Sequence, residues 1–575
     1  MSNYVLGTYW EHMVRCHGNR PIAMTTNHMF PICSLCNISV PPTRLSVLAG
    51  SNPGHNTPSA QVSVGSRQHR LTMELPLPDE LIGSIVDHLD VPSLLRCMQV
   101  CKLFYSIISE SAHLIYKIEL FASHMEDNEY SSMETVNRLN LLREYNRKWN
   151  DLEWTSSGSI PMTNGCWELS GGILAQVIHR NTLSLVQLPC KLKDIPERRW
   201  SVPFDFRICD FTLDNSQDLV VLLELVGTFP PNVSCNIHLR TLSGEQHPRA
   251  AETQITYTST SLHATLSFMI QICGNRVAVL FYDQLFFELD TLSTNPFLVW
   301  NWQTGQQELV ICSHSRDYIL RLHDRGSDLA TIIRSDSGPA LQILRASAQV
   351  DPILPLEETP CVCELQLPRV QGDVEWLLVR SEPTPTWKPP TGSGVPFYAS
   401  RKDYIFSVSI RAIVDEMDGN AVLFIPLSTL LLEVERSHDV PRRNVPWDAW
   451  GPDRTRIISM QPSETWICYT YGMKFIQHVP WNNGYAAQVY DFNPYAARKH
   501  VKTTVDSLLP WKHLAEESKP AGWCEGFCSS EQEQVVTRLP GRVATIALAH
   551  SNNSQDAAMI GEDNIVIVQV AYLKL

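Results

Sequence analysis

Cys33 and Cys36 stand three residues apart with Cys16, His17 and His28 upstream, and thiolates and imidazoles are the ligands that zinc takes in a tetrahedron. A closed zinc site needs four such ligands, usually as two pairs at finger-like spacing. No second pair follows and the flanking sequence is loop-like, so this segment is read as metal-free. Carboxylate pairs such as Glu357-Glu358 and Asp415-Glu416 would need environments that split their pKa values before they could act as acid and base. Nothing around them does so, and they are read as solvated. The chain has no Walker-type glycine loop, no GxSxG elbow and no HExxH, the minimum apparatus of phosphoryl transfer, serine hydrolysis and zincin chemistry. Trp447, Trp450, Trp466 and Trp481, with Arg454 and Arg456 close by, are residue types enriched at binding hot spots, but they serve equally well as packing between sheets, the reading preferred here. No catalytic residue, metal ligand or cofactor is assigned.

The elements that would position any site change character along the chain. Residues 1–70 are rich in Pro, Ser, Asn, Gly and Thr without a sustained apolar period, and read as a disordered tail. Residues 71–120 show short helical segments punctuated by Pro-Leu-Pro and Val-Pro-Ser. In residues 121–153, Met133, Val136, Leu139, Leu142, Tyr145 and Trp149 recur at three- and four-residue steps, which predicts an amphipathic linker helix with Ser131 or Ser132 as its cap. Beyond Trp154 the helical period gives way to Val, Ile, Leu, Phe and Thr clusters bounded by Asp, Asn, Gly and Pro. Residues 154–575 are therefore strand-rich. Ile208 onward and Met269 onward read as pairs of apolar strands across tight turns. Residues 237–248, 297–310 and 487–499 each read as a strand, a polar turn and a return. Pro383, Pro385, Pro389, Pro390 and Pro396 mark 380–400 as a surface loop.

Composition agrees with a globular chain of 575 residues, 44% hydrophobic and 18% charged, too long for one ordinary domain. A formal charge of -14 opposes a nucleic-acid role, which needs concentrated basic surface. No apolar run is long enough to span a bilayer and the first residues lack an export signal. The 16 cysteines are scattered, often within apolar runs, and read as reduced thiols of an intracellular protein, cytoplasmic or nuclear.

The decisive passage runs from Leu75 to Ser111. Leu77-Pro78 precedes Asp79-Glu80, whose carboxylates complement the amino-terminal helix dipole. Leu81, Ile85, Val86 and Leu89 follow as an apolar stripe. Asp90 to Ser93 turns the chain, Leu94, Leu95 and Met98 give the second helix its face, and Val100-Cys101-Lys102 leads to Phe104, Ile107 and Ile108. This order resembles the F-box consensus. Trp300-Asn301-Trp302-Gln303-Thr304-Gly305 resembles the turn between the last two strands of a WD-type propeller blade. Trp167 to Gly172 and Pro446 to Pro452 are similar to segments of basidiomycete-type fungal F-box proteins.

The resemblance implies an α+β multidomain chain: a small three-helix F-box, a linker helix, and a large all-β body built as an irregular β-propeller of roughly seven blades. It implies that Leu77, Pro78, Leu81, Ile85, Leu89, Leu94, Leu95, Val100, Cys101, Lys102 and Phe104 bind a Skp adaptor and, through it, a cullin scaffold. The body would then capture a protein target for ubiquitination. A scaffold that binds the adaptor without target degradation is the alternative.

Overall fold

The structure is a computed structural model. It describes residues 11–15 and 77–571, except for 164–165, 228–232, 259–265, 284–294, 314–318, 323–327, 336–337, 346–353, 356–360, 371–372, 385, 391, 415–416, 438–442, 462, 464–467, 483, 502–509, 516–526, 531–532 and 549–555. The chain forms two compact units, one within Ala23–Ile118 and the other comprising the rest.

The first unit is helical. Its elements are α1 (Asp79–Asp87), α2 (Val91–Val100), α3 (Lys102–Glu110) and the start of α4 (Ala112–Ala122). α1 begins where Pro78, which has no N–H to leave unsatisfied, offers its carbonyl to the amides of Leu81 and Ile82. α2 is capped by the Asp90 carboxylate, which accepts from the Ser93 amide at 3.0 Å and is held below the usual carboxylate range by its hydrogen bonds from Ser93. Cys101 is extended (φ -156°, ψ 166°) and separates α2 from α3. The expectation was three helices. The fourth follows directly because the core is incomplete without it: Leu114 and Ile118 join Ile82, Val86, Val91, Leu94, Met98 and Ile108 in one buried cluster.

The body is a β-propeller. Six antiparallel meanders follow one another, their first strands being Trp167–Ser170, Asp210–Asp214, Leu266–Cys273, Ile319–Leu322, Asp373–Arg380 and Thr470–Tyr471, and each makes a blade of four strands or more. From the first blade to the fourth, each of these strands touches the first strand of the next blade. A further four-stranded sheet is assembled from distant chain: Ala557–Ile560 and Ile565–Ala571 pair with each other, the latter with Glu11–Arg15, and that strand with Pro161–Met162. Part of the expected tail is thus a strand of the body, and the remainder of residues 1–70 lies outside the described residues.

Inner strands of the blades are buried on both faces, which is why they read as continuously apolar. In Leu219–Val226, Leu219, Val221 and Leu223 point into the layer shared with the third blade, and Val220 and Leu222 into the layer shared with the first. The same alternation places Val277 and Val279 on one side of the next strand and Ala278 and Leu280 on the other. Gly305, at φ +74°, closes the turn between Asn295–Asn301 and Gln307–Ser313, while Asn301 Oδ1 accepts from the Gln303 amide at 3.1 Å.

Five expectations are corrected. After Gly484–Asp491 the chain does not return as a strand but enters a helix, Pro494–Val501, because Asn493 caps it through Oδ1 to the Tyr495 amide at 2.9 Å. Residues 380–400 are a surface loop only in part: 392–394 are exposed, but Trp387, Val395 and Phe397 are buried, and Trp387 donates to Asn215 Oδ1 at 2.6 Å. Val136 is exposed on the linker helix, now α5 (Thr135–Asp151), whose buried stripe is Leu139, Leu142, Tyr145 and Trp149. Glu134 and not a serine holds its cap position. Trp447 and Trp450 do lie in the core with the fourth and fifth blades, Trp450 donating to the Gln366 carbonyl, whereas Trp481 is exposed and Trp466 falls outside the described residues.

The linker is joined to the propeller by three kinds of contact. Met125–Asp127 pairs as a strand with Phe397–Ala399, and Glu126 meets Arg401 at 3.0 Å. Asn150, near the end of α5, accepts from Trp511 and from Arg542, which also grips the buried Asp491 carboxylate. Glu562, in the turn of the last hairpin, accepts from the Ala399 amide at 2.8 Å, while its own carbonyl accepts from the Tyr145 hydroxyl at 2.7 Å. Lys193 pairs with Glu562 and Asp563 beneath the Tyr145 and Phe397 rings. Burial works against the Lys193 ammonium, yet Asp563 and Glu562 hold its pKa above the ordinary lysine value. Burial pushes the Glu562 carboxyl up; Lys193 opposes that and Asp563 adds to it.

Candidate protein-binding site

A helix that belongs wholly to a core shows one apolar stripe. α1 shows two. Ile82 and Val86 face the core of the helical unit with Leu89 at its margin, and Gly83 approaches Ile107 of α3. Leu81 and Ile85, each one position earlier and so rotated by about 100°, face outward with 52% and 57% of their surface exposed. Leu77 at 42%, Val100 at 64% and Tyr105 at 44% are the other exposed large apolar side chains of this unit among the described residues. Fully burying such a side chain contributes about 1.5–3 kcal/mol, so these five together leave on the order of 5 kcal/mol of burial unrealised.

The surroundings are mildly polar. Asp79 and Glu80 occupy the first turn of α1, Ser84 Oγ donates to the Glu80 carbonyl at 2.9 Å, and His113 lies 2.9 Å from Asp87. Lys117 reaches across to the Asp87 carbonyl at 2.6 Å, tying α4 to the end of α1. These contacts brace the helices without covering the outward stripe.

Of the residues singled out from the sequence, Leu77, Pro78, Leu81, Ile85, Val100 and Lys102 are exposed. Leu89, Leu95, Cys101 and Phe104 are half-buried, the first two and Phe104 lying against the module's core. Leu94 is completely buried in that core, so it shapes the module from within. Tyr105, not singled out from the sequence, is exposed as well.

No group of three or more His, Cys, Asp or Glu side chains among the described residues is arranged to hold a metal ion. Cys33, Cys36, Cys16, His17 and His28 lie outside them, as do both carboxylate pairs considered above. Among the described residues no helix is long and apolar enough to cross a membrane.

Residues 76–120 match the F-box-like family. Among solved structures, the chain is similar to KlAtg21 in its complex with the coiled coil of AgAtg16, at 10% identity and a TM-score of 0.28, over 56% of this chain and 77% of that one. It is similar to the WD40 domain of SCAP from fission yeast at 8% identity and a TM-score of 0.27, over 71% and 81%. No curated protein matches the chain. Residues 76–120 are thus an F-box-like helical module, carried in one chain with a β-propeller body.

Proposed function

We propose that this protein is a substrate receptor of a Skp–cullin–F-box ubiquitin ligase, non-catalytic itself, holding the adaptor through its helical module and a protein target through its propeller. The observation that carries the reading is the double stripe of α1: a core already closed by Ile82, Val86 and their neighbours, with Leu77, Leu81, Ile85 and Val100 left for another protein to cover. Pro78, Lys102 and the half-buried Leu89, Leu95, Cys101 and Phe104 complete the proposed adaptor-binding set, and Leu94 supports it from inside. A cullin would join only through the adaptor. The propeller and α5 form a firm platform that keeps a captured target at high effective concentration near activated ubiquitin, turning a rare encounter into a local one.

The test follows proteins that co-purify with the full chain. Under the ligase reading their lifetime lengthens when cullin activity is blocked, and equally in cells carrying the Leu77→Ala, Pro78→Ala double variant. Unchanged lifetimes in both arms would leave a scaffold that binds the adaptor without degradation.

A further inference from the structure

The end of α5 builds a pocket that the adaptor-binding surface does not use. Leu152 takes the left-handed conformation at φ 50°, and the Glu153 amide donates to the Lys148 carbonyl at 2.9 Å, so residues 153–155 turn back past the helix. Between this return, Cys190 and Leu192 of the first blade, and Asp563 in the turn of the last hairpin lies a half-open pocket of about 50 Å³. One water needs roughly 10–15 Å³ of such space, so the pocket admits the tip of one side chain and excludes a nucleotide or a folded element.

Its chemistry favours a cation. Trp149 and Trp154 stand at 83° to one another with centroids 5.7 Å apart and form two of the walls. Aromatic faces attract ammonium and guanidinium groups, and the same neighbourhood already seats two: Lys474 lies 4.8 Å from the Trp149 centroid and Lys193 5.2 Å from that of Tyr145. The charged lining groups are Glu153 and Asp563 against Lys148, and Glu153 also pairs with Arg147 at 2.8 Å. Lys148 is held at 3.3 Å from both Glu144 and Glu153. Asp563 Oδ1 is buried, and although the Lys193 ammonium is 2.9 Å away it receives no well-directed hydrogen bond. The pocket also sits at the carboxyl end of a 17-residue helix, where the dipole is negative.

We propose that this pocket seats the cationic tip of a single lysine or arginine side chain presented by a bound target. The proposal rests on the reading of the body as a target-binding domain and specifies part of what it recognises. The test is saturation-transfer NMR on the full chain with Nα-acetyl-lysine methylamide and Nα-acetyl-arginine methylamide, with Nα-acetyl-norleucine methylamide as the uncharged control. One side chain is expected to bind at about millimolar Kd. At least one cationic probe should show transfer and the norleucine control should not. Glu153→Gln, at a half-exposed position, and Trp154→Ala should each weaken that probe at least about threefold with the fold unchanged by circular dichroism. Equal transfer from the norleucine control, or none from either cation with the chain folded, overturns the proposal. Adaptor binding by the Glu153→Gln chain is measured alongside and is expected to be intact; its absence in the unaltered chain too would remove the ligase reading while leaving the pocket result standing.

Discussion

Replacing Leu81 and Ile85 together by Ala separates the two stripes of α1. Both side chains are more than half exposed, so little folding energy depends on them, and Ala is at least as good a helix former. If the adaptor covers them, each truncation forfeits the part of a 1.5–3 kcal/mol burial still unrealised, about 1 kcal/mol. The pair should therefore weaken adaptor binding by about 2 kcal/mol, roughly 30-fold in Kd. Leu94→Ala supplies the contrast. Leu94 has no exposed surface and lies in the module's core, so its truncation should cost about 2–5 kcal/mol of module stability. That loss appears as reduced helical signal. Titration calorimetry with purified adaptor, paired with circular dichroism of each variant, reads both quantities. A folded Leu81→Ala, Ile85→Ala chain that binds within about threefold of the unaltered one would refute the assignment of the outward stripe. A fully folded Leu94→Ala chain with lost binding would place Leu94 at the interface and refute its role as core.

Two predictions concern the body. Lys193→Met leaves Glu562 and Asp563 buried without their cation, at a cost of about 3–5 kcal/mol near neutral pH. Glu562 already has a folded pKa above its unfolded value, so the folded chain binds the extra proton and stability falls as pH rises above the ordinary carboxylate range. Without Lys193 that pKa rises further, and the thermal-unfolding deficit of the variant should shrink from pH 8 to pH 5; a constant deficit would show that the carboxylates are not the cause. Gly451→Ala places a methyl 2.3 Å from Trp447 Cζ3, in the core shared with Trp450, and should cost about 1–3 kcal/mol in chemical denaturation. No loss would mean that Trp447 has room to move.

The sequence by itself determined where the helices of the first module begin and that a strand-rich body follows. Those features are local: Pro78, Asp90 and Pro92 act on their own turns, and a strand buried on both faces is apolar whatever its neighbours are. It also pointed to the apolar residues of α1 and α2. It did not determine which of them face inward. Leu81 and Ile82 are both apolar and one position apart, and only the packing of α1 against α3 and α4 decides that Ile82 enters the core and Leu81 does not. By the same reasoning Leu94, which read as an interface residue, proves internal. The meeting of Lys193, Tyr145, Glu562 and Ala399 lay further from view, since the residues that pair there are separated by up to 417 positions. Such contacts leave no periodicity to read, because blade order around the propeller, and not spacing along the chain, brings them together.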